Sequence, residues 1–145
     1  MRIIPYSDTY KQQMIDMVLE AKAALGLPPA IRADMYDIKR RYLDKGDRFY
    51  LALDEDGTVI GCLGYSRIAD STEAFLRRFY VKASRKRQGI GTALLNWAEA
   101  AMREAGIEIS KVHLGEAMER WFESYAFYPK NGYAEHEPRY MRKRL

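Results

Sequence analysis

One stretch constrains this chain more than any other: Glu73 to Gly106, EAFLRRFYVKASRKRQGIGTALLNWAEAAMREAG. Ala74 to Val81 is rich in apolar and aromatic residues that suit a pleated strand. A short basic loop follows and ends in Gly89-Ile90-Gly91. An amphipathic helix then begins, with an expected apolar face of Ile90, Ala93, Leu94, Trp97, Ala101 and Ala105. Thr92, Asn96, Glu99 and Arg103 are expected on its other side, and Gly106 ends it. The physical use of strand, glycine turn and helix is anion binding. The first helical turn leaves backbone N–H groups unpartnered, and the helix dipole makes that end partly positive. Glycine lets a phosphate approach the backbone without an intervening Cβ. Lys82, Arg85, Lys86 and Arg87 add charge around the same point, so a pyrophosphate is the expected ligand. The alternative reading is a tight turn with a solvated basic edge.

A resemblance bears on that choice. KRQGIGTALL after RRFYV resembles the coenzyme A pyrophosphate loop of the GNAT N-acetyltransferase superfamily, which reads Arg/Gln-x-x-Gly-x-Gly/Ala and opens the central helix. Gly89 and Gly91 match, Thr92 opens the helix, and Lys86 stands where Arg or Gln is usual, keeping the charge but losing the planar fork. Farther on, FYPKNGY, Phe127 to Tyr133, resembles the Phe/Leu-Tyr-x-x-x-Gly-Phe run near the end of these enzymes. Two motifs in the right order extend the resemblance over the whole chain. It implies a single-domain α/β (mixed α+β) acyl-CoA N-acyltransferase fold over residues 1–145, with acetyl-CoA as cosubstrate. The coenzyme loop is then Lys86, Arg87, Gln88, Gly89, Ile90, Gly91 and Thr92. Phe79, Tyr80 and Val81 would offer backbone groups to the pantetheine arm and the thioester carbonyl.

At 145 residues the chain is expected to be one domain that buries a core without staples. No signal-like N-terminus is present, and no apolar run approaches the ~18 residues that span a bilayer, so no membrane partner is expected. Cys62 is the single cysteine; it allows neither an intrachain disulfide nor a cysteine zinc site, no metal is expected, and a cytoplasmic location fits. The net charge is +4 and the pI about 9.1. Much of the excess sits at Arg77 to Arg87, which a polyphosphate coenzyme explains, and at Arg139 to Arg144, which alternates as a strand with one exposed face does. No helix-turn-helix or RNP signature accompanies it, so no nucleic acid is expected.

Arg2 to Pro5 reads as a first strand, and Ser7 or Asp8 as the cap of a helix carrying Tyr10, Met14, Met17, Val18, Ala21 and Leu25. A second helix is expected from a cap near Asp34 to Gly46. Its Asp34, Tyr36, Asp37 and Tyr42 either hold a cationic amine or merely cap and pack. Arg48 to Asp54 and Thr58 to Ile68 form a hairpin, with Gly61 and Gly64 marking a bulge or a close backbone approach. Lys111 to Leu114 and Arg139 to Arg144 are further strands. Met118, Trp121, Phe122 and Tyr125 form the face of a last helix that Pro129 and Gly132 break. Strands that first pair as hairpins and later alternate with helices give a mixed central sheet covered by helices.

The resemblance also implies the chemistry: acetyl transfer from the thioester to a primary amine of a small molecule, amino acid or peptide, with a homodimer compatible. The amine must attack neutral, and a lysine-like amine of pKa ~10.4 is neutral only about once in 2,500 at pH 7, a penalty of ~4.6 kcal/mol. Tyr128 matches the tyrosine that many members place near the thioester sulfur, and is the expected proton donor to the leaving thiolate. Many members carry a glutamate base at the position of Phe75. Glu73 lies two residues earlier on the same strand face, and Glu116 follows the strand Lys111 to Leu114; both are candidates. His113 has a suitable intrinsic pKa, although a lone strand His more often serves structure. The competing class is a non-catalytic module that senses acyl-CoA, which the departure at Phe75 favours and the FYPKNGY run opposes.

Overall fold

Strands of four to nine residues, the inner ones hydrophobic, build the centre of the molecule. The computed structural model describes residues 1–115 and 122–145. Strands β1 (Arg2–Pro5), β2 (Arg48–Leu53), β3 (Val59–Arg67), β4 (Glu73–Val81), β5 (Ile109–His113), β6 (Ala134–Glu137) and β7 (Tyr140–Arg144) form one sheet in the order β1-β2-β3-β4-β5-β7-β6. All neighbours run antiparallel except β4 and β5, which are parallel and joined through a helix. The helices are α1 (Lys11–Ala24), α2 (Ile38–Arg41), α3 (Ile90–Glu104) and α4 (Phe122–Lys130).

Two apolar layers cover the sheet. On one face Met14, Met17 and Val18 of α1, with Ile38 of α2, pack on Phe49 and Leu51. On the other, Ile90, Leu94, Leu95, Ala98 and Met102 of α3 pack on Ile60, Leu63 and Leu76. The two hairpin glycines mark a bulge and close approaches at once. A Cβ at Gly61 would lie 2.8 Å from Leu94 Cδ1, and one at Gly64 would lie 2.4 Å from the Phe49 ring. The β3–β4 register shifts between Cys62 and Gly64, opposite Arg78, whose φ is +53°.

Several expectations need correction. Trp97 is exposed and Glu99 is buried, so the α3 stripe runs through Leu95, Ala98 and Met102 instead. Alanines at 93, 101 and 105 fit either face and cannot orient the helix. Glu99 is tolerated inside because Tyr133 and Lys143 each donate to it at 2.9 Å. The expected second helix is three short pieces: 3-10 turns at Ala33–Tyr36 and Leu43–Lys45 flank α2. Asp34 caps nothing; its carboxylate accepts from Tyr42 and Arg78. β6 was not expected, and β5 begins earlier than the reading placed it. Pro129 sits within the last turn of α4, where it breaks nothing. The stop comes from Gly132 at φ +90°, with the Tyr133 N–H bonding back to the Tyr128 carbonyl at 3.0 Å. Met118 and Trp121 of the expected helix face lie outside the described residues.

Candidate active site

The parallel pair β4–β5 holds together only over Glu73–Phe75 and Ile109–Lys111. Beyond Phe75 the two strands part. The bulge at Arg78 turns β4, the Cys62 thiol donates to the Arg78 carbonyl at 3.2 Å, and among the described residues the β4 edge from Leu76 to Val81 has no strand partner on the β5 side. Unpaired backbone N–H and C=O groups along such an edge are ready to accept an extended ligand.

At the end of this edge stands the N-terminus of α3. Gly89 is its cap residue at φ +80°, and Arg87, two residues earlier, is at +65°. These left-handed residues fold the loop so that the N–H groups of the first helical turn face outward together. A cavity of about 370 Å³ begins there, lined by Arg85, Lys86, Arg87, Gly89, Ile90, Gly91 and Thr92. It runs past Phe79 and Val81 to Phe127 and Tyr128 of α4, with Glu123 and Lys130 on its outer wall. Lys86 pairs with Glu123 at 3.3 Å, linking the loop to α4. Arg85 is held by Asp54 at 3.0 Å and Lys82 by Glu20 at 3.1 Å. A Cβ on Gly91 would only touch Phe127 and Val81, at 3.5 and 3.6 Å, whereas larger groups there would fill the cavity.

Tyr128 closes the inner end. It is 5% exposed and its ring meets Phe79, Phe127 and Tyr133 edge-on at 6.3, 5.4 and 5.5 Å. Burial pushes the phenol well above its ordinary value, so it stays protonated and can offer a proton rather than take one. Tyr133 is tied into a buried chain. Its hydroxyl donates to Glu99, which obliges Ser110 to donate to Tyr133 across 2.8 Å.

The fold therefore brings Phe79, Val81, Lys86, Arg87, Gly89, Ile90, Gly91, Thr92 and Tyr128 around one cavity. Two of the sequence candidates have side chains that point elsewhere, although the role expected of Tyr80 was a backbone one. The Tyr80 side chain packs on the α1 face, leaving only its backbone near the cavity edge. Gln88 lines a separate hollow of about 280 Å³ beside Asp54, Glu55 and Asp56. Glu73 does not line the cavity: six residues from Phe79, it lies about 20 Å away along the strand. Its carboxylate pairs with Lys111 at 2.6 Å, and that bond holds it below the ordinary carboxylate range, weakening it as a base. Glu116 lies outside the described residues. The α4 wall, Glu123, Phe127 and Lys130, escaped the sequence reading; Phe127 opens the FYPKNGY run and was the available signal. Among the described residues no cluster of His, Cys, Asp or Glu could hold a metal ion, and no helix is long and apolar enough to cross a membrane.

A strand that ends in a glycine-capped helix, beside a parallel neighbour that parts from it, is the architecture of an acyl-CoA-handling fold. The chain belongs to the GNAT acetyltransferase family, whose model, "Acetyltransferase (GNAT) family", matches residues 13–133. Among solved structures it is similar to a GNAT-family acetyltransferase from Staphylococcus aureus Mu50, with a TM-score of 0.89 and 22% identity, covering 99% of this chain and 98% of that one. It is also similar to PaiA N-acetyltransferase from Thermoplasma acidophilum in complex with coenzyme A, with a TM-score of 0.74, 22% identity and 100% of both chains covered. A third is an aminoglycoside 6'-N-acetyltransferase complexed with coenzyme A, with a TM-score of 0.75 and 18% identity over 99% and 97% of the two chains. At these identities the likeness is one of fold. Among curated proteins, none matches the chain by sequence at a significant level.

Proposed function

We propose that this protein is an acetyl-CoA-dependent N-acetyltransferase that acetylates a primary amine of a small molecule, amino acid or peptide. The observation that carries the reading is the single cavity joining the Gly89-capped end of α3, the free edge of β4 and the protonated Tyr128. The coenzyme diphosphate sits against the N–H groups of the first α3 turn, with Lys86 and Arg87 beside it. The pantetheine arm pairs with the β4 edge as an added strand does. The thioester carbonyl then meets backbone N–H groups of the same edge, which stabilise the oxyanion as it forms.

The amine nitrogen attacks the acetyl carbon, the C–N bond forms and the C–S bond breaks. The coenzyme thiolate leaves, taking a hydrogen bond and then a proton from Tyr128. The proton lost by the amine returns through water to the tyrosinate, so products are the N-acetyl compound and the free thiol. Glu73 has no part in this scheme, because it is paired and remote. A cytoplasmic location, which Cys62 as an unpaired buried thiol supports, belongs to the same proposal.

The test is release of coenzyme A thiol from acetyl-CoA against a panel of amines, run beside Tyr128→Phe. Acceptor-dependent release that falls at least tenfold in Tyr128→Phe, with coenzyme binding intact, is the expected result. Coenzyme binding without release for any amine would favour an acyl-CoA sensor. Absence of coenzyme binding would remove the reading altogether.

A further inference from the structure

The sheet face away from α3 carries a row of side chains that the coenzyme cavity does not use. Phe75, Lys111 and Arg142 stand opposite one another across β4, β5 and β7, and His113 stands opposite Tyr140. Opposed residues share a face, and these remain partly or fully exposed while Ala74, Ser110, Val112 and Met141 are buried on the other side. The β4–β5 pairing stops at Phe75 and Lys111. The next residues on the open face, Arg77 and His113, therefore form the two lips of the wedge where the strands part. If the thioester lies along the free β4 edge, as the proposed function has it, α3, α4 and the coenzyme fill one side. The amine has to arrive from this open face.

The charges on that approach are unevenly used. Asp34 is consumed by Tyr42 at 2.6 Å and by Arg78 at 3.0 Å. Asp37 pairs with Arg40 at 2.6 Å, Glu73 with Lys111 at 2.6 Å, and Glu137 faces His136 at 3.4 Å. Of these carboxylates only Glu137, on the outer strand β6, lacks a fixed cationic partner. Arg77 differs. Its Nε donates to Ser66 Oγ at 3.0 Å and its guanidinium lies 4.8 Å from the Phe75 ring centre, which fixes the plane of the fork. Both Nη groups have no hydrogen-bond partner among the described residues. A planar, anchored fork with its outer nitrogens free is the donor geometry that a carboxylate fits.

We propose that the acceptor is a primary amine whose molecule also carries a carboxylate. Arg77 grips the carboxylate while the amine enters the wedge towards the thioester carbon. Arg77 is thus a specificity-determining residue, and polycationic amines, which meet Arg77 on this approach while Asp34, Asp37 and Glu73 are already paired, are poor acceptors.

The experiment measures initial rates for free amino acids including aspartate and glutamate, their C-terminal amides, an acidic peptide amidated at its C-terminus, spermidine and an aminoglycoside. Carboxylate-bearing amines are expected to exceed the corresponding amides at least tenfold in kcat/KM. Free amino acids outrunning the acidic peptide would assign the α-carboxylate; the reverse order would assign a side-chain carboxylate. Arg77→Ala should raise KM for these acceptors at least tenfold with a smaller change in kcat, and Arg77→Lys should recover part of the loss. Equal rates for acids and amides, a preference for spermidine or the aminoglycoside, or an Arg77→Ala effect shared by acids and amides would overturn the proposal. So would failure of every carboxylate-bearing amine to bind the coenzyme A complex in calorimetric titration. A separate titration with coenzyme A alone reports on the proposed function itself, so the two failures are distinguishable.

Discussion

The Tyr133 hydroxyl donates to the Glu99 carboxylate across 2.9 Å, and the same ring meets Tyr128 edge-on at 5.5 Å. The middle of α3 is thereby fastened to the segment that carries the inner wall of the coenzyme cavity. Lys143 of β7 completes the site from the other side, with 2.9 Å to the second carboxylate oxygen.

Removing the acceptor leaves two donors behind. Glu99→Ala should destabilise the protein by about 2–4 kcal/mol, the lower end applying because Lys143 can turn to water while Tyr133 cannot. Glu99→Gln keeps an acceptor oxygen and should cost clearly less. Urea unfolding of the two variants beside the parent measures both. Equal stability of Glu99→Ala and the parent would mean that the network contributes nothing net.

Gly64 is a steric requirement. Its Cβ would lie 2.4 Å from the ring of Phe49, which is 0% exposed and hemmed in by Tyr6 and Tyr42. A ring so packed cannot give way cheaply, so Gly64→Ala should destabilise by about 1–3 kcal/mol, the usual cost of overpacking. At Gly89 the space is open but φ is +80°, and Gly89→Ala should act mainly on coenzyme affinity by distorting the α3 entry. Thermal unfolding and coenzyme titration on both variants separate the two effects.

These glycines show what the sequence made legible. Local chemistry read well: the 89–91 turn, the strand before it, the hairpin and the stop at Gly132 each follow from residues next to one another. What was hidden depended on partners far along the chain. Nothing near Glu99 announces Tyr133 and Lys143, so a charged residue flanked by alanines was placed outside and Trp97 inside. Asp34 looked like a helix cap because its true partner, Arg78, is 44 residues away. The parting of β4 from β5 likewise arises from a bulge whose register no local pattern encodes. The α4 wall of the cavity was missed although Phe127, which opens the FYPKNGY run, gave a local signal for it.

Asp34 gives a pH test. Burial alone would raise its carboxyl, but the bonds from Tyr42 and Arg78 outweigh that and hold it below its ordinary value. A carboxyl lowered on folding adds stability that is full above its unfolded pKa of ~3.9 and lost as pH falls through the folded value. Asp34→Asn should therefore be less stable than the parent by about 1–3 kcal/mol at pH 6, and the gap should shrink as pH falls below about 4. Urea unfolding from pH 7 down to pH 2.5 follows it. A gap independent of pH would mean the ion pair is not its source.

Cys62 offers the last prediction, and it bears on how activity is assayed. Its sulfur is 0% exposed, donates to the Arg78 carbonyl, and burial pushes the thiol up to about 12. Only the thiolate reacts with disulfide reagents, and at pH 8 a thiol titrating near 12 is ionised about once in 10,000, against roughly a quarter for an exposed cysteine. Lack of access slows it further. The folded protein should thus show no fast reaction with an aromatic disulfide, and one thiol per chain should appear on adding denaturant. Fast reaction of the native protein would mean that the β3–β4 bulge opens readily. A silent Cys62 makes every thiol counted in the transfer assay one released from the coenzyme.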